Sequence, residues 1–474
     1  MRRRKLLAAL AVAPALAARA QSASAVIDVV ADGGADPSGK TSSVAGFQRA
    51  MARAARAVTS RVRVPAGRYR FDVGGDADTI RIPSGCTLEC APGVRFEWDH
   101  WGSPLFAIIN VRRVRLACNG ATFVWSGRFA RTAGARNAFD YGTAIPAYEW
   151  CCHIIAMGSD EVSIEGAHCA GASTANTLNA FVQVGGKADG GATFGNTVRD
   201  LVANDVCQVL LFSCQRRFTV RNLRVGRYAN ASAQLYGPGH VIYATQGATP
   251  SEEVDIQDIY DAGVPIDPFS LGAATVSLKN VLKGSVRGLY SQRAEGVLSL
   301  RDCEDLDVEL EYRSAATDPD TWVGVIYFID PTRVNRRVRI KGSLTLEKQR
   351  NCILVNMAGT ASSDKNRECE LDLTLNVDGG ESTIAIAWVG VDGQARIDYR
   401  ARSPDKTPVL LHLDRGAQRN RFDLKAAGSQ PPRVALGERG DNRDNQIGCQ
   451  PGSRLGFDAR HFGAGRANRL DCGA

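Results

Sequence analysis

Residues 26–71 read VIDVVADGGADPSGKTSSVAGFQRAMARAARAVTSRVRVPAGRYRF. The first five residues form a β-branched run that is typical of a short strand. The Asp-Pro-Ser-Gly segment at 36–39 predicts a turn, because proline fixes φ and glycine can adopt a positive φ. An alanine-rich helix is predicted over 44–58, with Ser42 or Ser43 as its N-cap, and a second strand ends in Pro-Ala-Gly-Arg-Tyr.

The predicted helix is amphipathic. Its apolar residues recur at the spacing of a single buried stripe, while the arginines between them lie on the opposite face, which we interpret as solvated. The stripe consists of Phe47, Ala50, Met51, Ala54, Ala55 and Val58. The helix is therefore expected to cover an apolar surface.

This order of elements resembles the N-terminal region of the pectate-lyase-like superfamily, the right-handed parallel β-helices. In that superfamily a helix covers the open end of a solenoid of stacked strands. The resemblance implies an all-β chain, folded over 26–474 as one single-stranded right-handed parallel β-helix with an N-terminal capping α-helix.

The rest of the chain supports a solenoid through its periodicity. Short apolar strands start at residues such as Cys152, Ala180, Gln208, His240 and Gly296, mostly about 24 to 32 residues apart, and a second strand follows each of them. A fixed period of this size without intervening helices is typical of stacked coils. Asparagines repeat near the C-terminus, and we interpret them as a hydrogen-bonded turn ladder; they are Asn420, Asn445 and Asn468.

Residues 1–20 are typical of an export signal. A basic start precedes an apolar run, and Ala18-Arg19-Ala20 fits a cleavage site. The Arg3-Arg4 pair also resembles a twin-arginine signal. We therefore expect a periplasmic or secreted protein without a membrane anchor after cleavage.

The charge of the remaining chain is weak and mixed. The whole chain has 58 basic and 50 acidic residues, and the signal removes five basic residues, so the net charge falls from +8 to +3. This balance argues against a nucleic-acid partner. No His/Cys set has metal-ligand spacing, so neither a metal nor another cofactor is expected.

All 13 cysteines lie beyond the signal. Cys449 and Cys472 each follow an asparagine of the ladder by the same interval, so they hold equivalent places in consecutive coils. Their Cα atoms should lie about 5 Å apart, which is within disulfide range. We predict a disulfide between them in an exported protein.

One insertion departs from the period. Between Val114 and Val162 the chain has 48 residues, about twice the length that one coil needs, and the excess at 126–150 is predicted to project as a loop. Aromatic residues are concentrated here, and aromatic planes suit the C–H faces of sugar rings. The predicted sugar contacts are Trp125, Tyr141, Tyr148 and Trp150, together with Tyr243 in the strand that His240 opens.

The candidate chemistry rests on a partial match to β-helix hydrolases of the polygalacturonase type. Their catalytic aspartates and histidine stand at the starts of successive strands on one face. Here Asn204-Asp205 precedes the strand at Gln208, and Gly239-His240 opens the next strand, but the Asp-Asp pair of that family has no counterpart at either strand start. The resemblance implies Asp205 as acid or base and His240 as a partner that holds the substrate or tunes the carboxylate.

Asp261 is the predicted second carboxylate, because it follows its strand by the interval at which Asp205 follows Val198. A separation of two coils, about 9–10 Å, would suit an inverting hydrolase. If Asp205 and His240 are not catalytic, Asp140 and Glu149 are the next candidates.

Three functions stay open at this point. The first is an exported enzyme acting on an acidic, uronate-containing polysaccharide as a glycoside hydrolase, lyase or epimerase. The second is a non-catalytic glycan-binding β-helix in exopolysaccharide assembly. The third is a structural rod of the tailspike or adhesin kind. The sequence does not decide the oligomeric state.

Overall fold

The computed structural model describes most of the chain from residue 22 onward. The described residues are 22–99, 103–125, 152–171, 180–205, 208–228, 239–265, 274–293, 296–314, 320–321, 324–329, 332–347, 351–357, 363–378, 382–402, 408–428, 431–437, 441–457 and 468–472. They form a right-handed parallel β-helix, which confirms the predicted fold. The predicted signal at 1–20 and the predicted loop at 126–150 lie outside the described residues.

The described strands belong to two parallel sheets, called sheet A and sheet B below. Sheet A contains 20 strands. They are Ser22–Asp28, Ala57–Val64, Gly67–Phe71, Cys86–Cys90, Val94–Trp98, Arg112–Trp125, Asp160–Gly171, Thr193–Phe194, Thr197–Asn204, Gln215–Tyr228, Ser251–Pro265, Val281–Ser291, Glu304–Ser314, Asn335–Glu347, Asn366–Arg367, Glu370–Asp378, Gln394–Ala401, Arg421–Ala427, Gln446–Cys449 and Arg469–Asp471.

Sheet B contains 15 described strands, each shorter than the long strands of sheet A. They are Ile80–Arg81, Phe106–Ile109, Cys152–Met157, Ala180–Gly185, Gln208–Phe212, Ile242–Ala244, Val276–Lys279, Leu298–Arg301, Asp320–Thr321, Ile326–Phe328, Asn351–Asn356, Ser382–Trp388, Val409–Leu413, Arg433–Leu436 and Gly456–Phe457. Two short 3₁₀ turns, Asp76–Asp78 and Ser363–Lys365, complete the described elements besides one α-helix.

A typical coil contributes one strand to sheet B and then one to sheet A. The strand Cys152–Met157, for example, passes into Asp160–Gly171 through a short corner at which Gly158 has a φ of 62°. The connections between the sheets vary in length in both directions: two residues join Met157 to Asp160, whereas nine lie between Asn356 and Asn366.

The core consists of inward columns of stacked side chains. One column of sheet A, traced by strand register, contains Tyr69, Phe96, Phe123, Cys169, Ala203, Val225, Asp261, Ser291, Tyr312, Leu344, Leu375, Tyr399 and Ala426. All of them are buried. The column is mostly apolar, as expected for an interior closed off from water, and Asp261 is its only charged member.

The helix α1, Val44–Ala54, covers the N-terminal end of this core. The ring of Phe47 lies 5.1–6.4 Å from the rings of Tyr69, Phe71, Phe96 and Phe106. A helix that closes the first coil also covers strand edges that would otherwise invite aggregation. The predicted capping helix is thus confirmed.

Two details of the predicted helix are corrected. It ends at Ala54, and Val58 is 58% exposed in the strand Ala57–Val64, so Val58 is not part of the buried stripe. Neither serine caps the helix with its side chain. The Ser43 hydroxyl donates to the carbonyl of Asp36, and the Ser42 hydroxyl accepts from the N–H of Asp72.

The C-terminal coils are joined by side chains. The amide of Asn420 donates to Asn445 at 2.9 Å, and that of Asn445 donates to Asn468 at 2.8 Å, which confirms the predicted ladder. Cys449 and Cys472 form a disulfide with a Cα–Cα distance of 4.6 Å. In the described part of the chain no helix is long and apolar enough to cross a membrane.

Candidate functional site

The outer face of sheet B carries a polar cluster in the middle of the solenoid. One outward column, in strand register, contains Ile155, Gln183, Leu211, Tyr243, Ser277, Ser299 and Tyr327. Ile155 and Leu211 belong to an apolar cluster separate from the main core, and Tyr243 packs against it. From Tyr243 onward every member of the column carries a hydroxyl, and Gln183 is a polar member between Ile155 and Leu211.

Tyr243, His240 and Lys279 form the centre of this cluster. The Lys279 ammonium donates to the Tyr243 hydroxyl at 2.6 Å and lies 4.7 Å from the centre of its ring. The rings of His240 and Tyr243 are 5.1 Å apart. Strand alternation places Tyr243 and Lys279 outward, because Ile242, Ala244 and Leu278 occupy the inward positions. His240 precedes the strand Ile242–Ala244, and its ring contact with Tyr243 places it in the same cluster.

His240 is held in one protonation state. It is 4% exposed, and its Nδ1 lies 2.7 Å from the carbonyl oxygen of Ala274. A carbonyl can only accept, so Nδ1 carries the hydrogen and Nε2 keeps a lone pair. Burial lowers the pKa of His240 to about 3. The neutral ring is therefore an acceptor at Nε2 near neutral pH.

Asp261 lies behind this cluster in a buried ion pair with Arg293. The side chains of both residues are 0% exposed, and Arg293 Nε donates to Asp261 Oδ2 at 2.7 Å. Thr275 donates to the same oxygen at 3.0 Å, and the N–H of Gly263 donates to Oδ1 at 3.0 Å. Arg293 also donates to the carbonyl of Gly239, the residue before His240. This arrangement gives Asp261 a supporting place inside the solenoid.

Asp205 directly follows the strand Thr197–Asn204 and adopts a left-handed backbone conformation, with φ 60°. It is 6% exposed, and its Oδ2 accepts from Arg227 at 2.6 Å. Strand register places Asp261 level with Ala203, two coils away. The structure therefore does not present Asp205 and Asp261 as two carboxylates facing a common groove.

The predicted sugar-stacking residues have different positions in the structure. Trp125 is 1% exposed and is in register with Trp98 in the core, so it offers no ring face to a ligand and the predicted contact is corrected. Tyr243 belongs to the cluster described above. Tyr141, Tyr148 and Trp150 lie outside the described residues.

Sequence reasoning missed Lys279, Arg301 and Arg293. Lys279 is in register with Arg301, so two cations stand in consecutive coils of the outer face. Aligning Ile242 with Val276 by the repeat would have placed Lys279 near Tyr243. No comparable signal pointed to Arg293, because it follows the end of its strand by two residues.

Acidic residues are scarce on this sheet. Among the described strands of sheet B, Asp320 is the single aspartate, and there is no glutamate. Nor does any group of three or more His, Cys, Asp or Glu in the described ranges have the arrangement of a metal site. The face is therefore basic and neutral in character.

A concave surface of about 870 Å³ lies on the outer face of sheet A. Its lining includes five acidic and five basic residues, with ion pairs such as Arg339–Asp307 at 3.0 Å and Lys341–Glu309 at 3.2 Å. Alternating charges of this kind are typical of a solvated, ion-paired surface. The balance of charge gives this groove no preference for an anionic polymer.

The comparisons with known proteins concern the fold. No protein-family model and no curated protein matches the chain. Solved structures do. One is a hyperthermoactive exopolygalacturonase from Thermotoga maritima, with 11% identity, 84% of this chain and 91% of that chain covered, and a TM-score of 0.43.

Two further similar structures are a tailspike protein of E. coli bacteriophage HK620 in complex with a pentasaccharide and the Streptococcus pneumoniae surface protein and adhesin PfbA. The tailspike is 11% identical, with coverage of 86% and 78% and a TM-score of 0.48. The adhesin is 11% identical, with coverage of 94% and 100% and a TM-score of 0.42.

Proposed function

We propose that this chain is an exported protein that binds a uronate-containing polysaccharide and cleaves it by β-elimination at the cluster of His240, Tyr243 and Lys279. The observation that carries the proposal is the ammonium of Lys279, 2.6 Å from the Tyr243 hydroxyl, on a basic face of the solenoid. The basic and apolar N-terminal segment supports export.

Elimination needs groups of the kind found here. A base takes the proton from the carbon next to the uronate carboxylate, and a positive charge stabilises the anion that develops. Tyr243 would act as a tyrosinate, its charge stabilised by the Lys279 ammonium, and would take this proton and return it to the leaving glycosidic oxygen. The C–H and C–O bonds break while a carbon–carbon double bond forms, so no further reactant is needed. Lys279 and Arg301 would pair with the carboxylates of the polymer.

His240 would position the substrate in this scheme. Its neutral Nε2 can accept a hydrogen bond from a sugar hydroxyl, while its Nδ1 is fixed by the carbonyl of Ala274. Arg293 and Asp261 would hold the backbone at Gly239 from inside the solenoid.

Hydrolysis by Asp205 and Asp261 receives less support. Two-carboxylate hydrolysis requires both groups to reach one glycosidic bond, but Asp205 pairs with Arg227 and Asp261 pairs with Arg293. A hydrolase would need carboxylates from elsewhere, and Asp140 and Glu149 are the alternatives.

Binding without cleavage is the second candidate function. One observation favours it: the described strands of sheet B contain no glutamate and a single aspartate, Asp320, so they offer the cluster of His240, Tyr243 and Lys279 little choice of carboxylate base. A glycan-binding β-helix would use the same cations and hydroxyl acceptors but would make no product.

The test is a screen of purified protein against uronate-containing polysaccharides, with binding, reducing ends and unsaturated uronate measured separately. Given a substrate, Tyr243→Phe should lower turnover at least about 100-fold with binding retained, as expected for an acid–base group. Lys279→Met should weaken both binding and turnover.

Lys341→Met is the matched control, because Lys341 is a 65% exposed lysine on sheet A, away from the cluster, and its ammonium pairs with Glu309. It should leave binding and turnover unchanged. Reducing ends without unsaturated product would replace elimination by hydrolysis. Binding without either product would leave the non-catalytic function, and no binding to any uronate polymer would overturn the proposal.

A further inference from the structure

Three side chains near the cluster have buried polar atoms without a hydrogen-bond partner in the described part of the chain. Both amide atoms of Gln183 are unpartnered, as are Oε1 of Gln208 and Oδ1 of Asp205. Their residues are 0%, 2% and 6% exposed. The proposed elimination chemistry uses none of these atoms.

Strand register places the two glutamines on neighbouring strands of sheet B, where Gln208 pairs with Ala180, three residues before Gln183. Gln183 is level with Leu211 and Tyr243, one and two coils further on. Gln208 is one coil before His240, because Leu210 pairs with Ile242. Asp205 lies three residues before Gln208 at the adjoining corner. All three therefore stand on the N-terminal side of the cluster.

Leaving these atoms unbonded is unfavourable. A buried polar group without a partner destabilises a protein by about 1–3 kcal/mol, and native structures rarely contain such groups. The column itself offers the apolar alternative, since Leu211 occupies the position of Gln183 in the next coil. A ligand that bonds to these groups would explain why glutamines stand here.

The chemistry of the groups defines that ligand. An amide both donates and accepts, whereas a carboxylate oxygen accepts, and sugar hydroxyls do both. The unpartnered oxygens of Asp205 and Gln208 can only accept, and a carboxylate ligand also only accepts, so it has no hydrogen bond to give them. The nearest unpaired acceptors therefore suit an uncharged sugar, and in a site screened from water such hydrogen bonds gain strength.

We propose that Gln183, Gln208 and Asp205 form a subsite for an uncharged sugar residue, called the glutamine subsite below. This inference rests on the proposed function for the identity of the uronate-containing polymer. The uncharged sugar is inferred from the three residues of the glutamine subsite themselves. Gln183 lies two coils, about 10 Å, from Tyr243 along the solenoid axis, a distance of about two sugar residues. The polymer would thus be a heteropolysaccharide in which a neutral sugar lies close to a uronate.

The test compares Gln183→Leu with Gln394→Leu, a matched change at an exposed glutamine of the sheet A groove. The probes are oligosaccharides in which glucuronate alternates with glucose, galactose or mannose, and homo-oligomers of glucuronate and of galacturonate. Gln183→Leu should weaken binding of an alternating oligosaccharide about 10-fold or more and leave the homo-oligomers unaffected. Gln394→Leu should change neither.

Equal weakening of both kinds of oligosaccharide, or no weakening of either, would overturn the glutamine subsite. If the wild-type protein binds no member of the panel, the proposed function fails separately. The subsite is then decided by crystals soaked in glucose, galactose or mannose. A sugar hydrogen-bonded to Gln183 supports it, whereas water alone at the amide, in every soak, refutes it.

Discussion

Removing Arg293 should destabilise the protein through Asp261. The substitution Arg293→Met keeps a long apolar side chain but removes the guanidinium that pairs with Asp261 at 2.7 Å. Asp261 keeps hydrogen bonds from Thr275 and Gly263. It would nevertheless be a buried charge without its counter-ion, among apolar neighbours such as Val225.

The expected size follows from the complete burial of both side chains. Breaking a buried ion pair by removing one partner destabilises by about 3–5 kcal/mol. For a chain of 474 residues, an unfolding entropy of about 2.1 cal/mol/K per residue gives about 1 kcal/mol per degree. A cooperative melt should therefore shift down by about 3–5 °C. Asp261→Asn, which leaves Arg293 unpaired, should act similarly.

The double variant Asp261→Leu/Arg293→Met provides the decisive comparison. Replacing both partners removes the unpaired charge, so its destabilisation should be smaller than the sum of the two single variants. The assay is thermal and guanidinium unfolding followed by circular dichroism, with turnover measured in parallel once a substrate is known. Additive single effects would refute the coupling. An Asp261→Asn variant with unchanged melting temperature and lost turnover would restore Asp261 as a catalytic carboxylate.

Three further predictions concern stability. Met51→Asp should give aggregated protein, because it buries a carboxylate under α1, whereas Ala52→Asp on the exposed face should stay soluble; equal solubility would contradict the lid. Burial lowers the pKa of His153 to about 3. As the pH falls from about 6.5 towards 3, the unfolded state therefore binds a proton that the folded state does not, and the free energy of unfolding decreases. His153→Phe should make the melting temperature less sensitive to pH in this window, and an unchanged pH profile would count against a buried neutral ring. Cys449→Ser should lower stability by about 3 kcal/mol through the loss of a 23-residue loop closure, and peptide mapping that finds both cysteines alkylatable in wild-type exported protein would argue against the bond.

The solenoid, the covering helix and the asparagine ladder could be predicted from local patterns in the sequence. These features repeat at short range: a strand of two or three inward residues, a turn, and the next strand about one coil later. Cys152–Met157 and Ala180–Gly185 lie where the apolar runs predicted them. Stacked coils contact only their neighbours, so local patterns are sufficient to define the fold.

Composition alone does not show which face of a strand a side chain occupies. Trp125 is next to the aromatic insertion in the sequence, but its side chain lies on the inward face of its strand together with Phe123. Asp261 likewise follows Ile259 on the inward face after the left-handed residue Asp258 shifts the alternation. A single bulge reverses which face a side chain occupies.

Which charged residues come into contact depends on how the coils stack and could not be predicted from the sequence. Lys279 reaches Tyr243 across 36 residues, and Arg293 reaches Asp261 across 32. The connections between sheets A and B differ in length, so the number of residues between two contacting side chains differs from coil to coil. The stacking of the coils determines which side chains come level with each other. The same stacking lets Arg293 neutralise Asp261 inside the solenoid and places Lys279 beside Tyr243 on its surface.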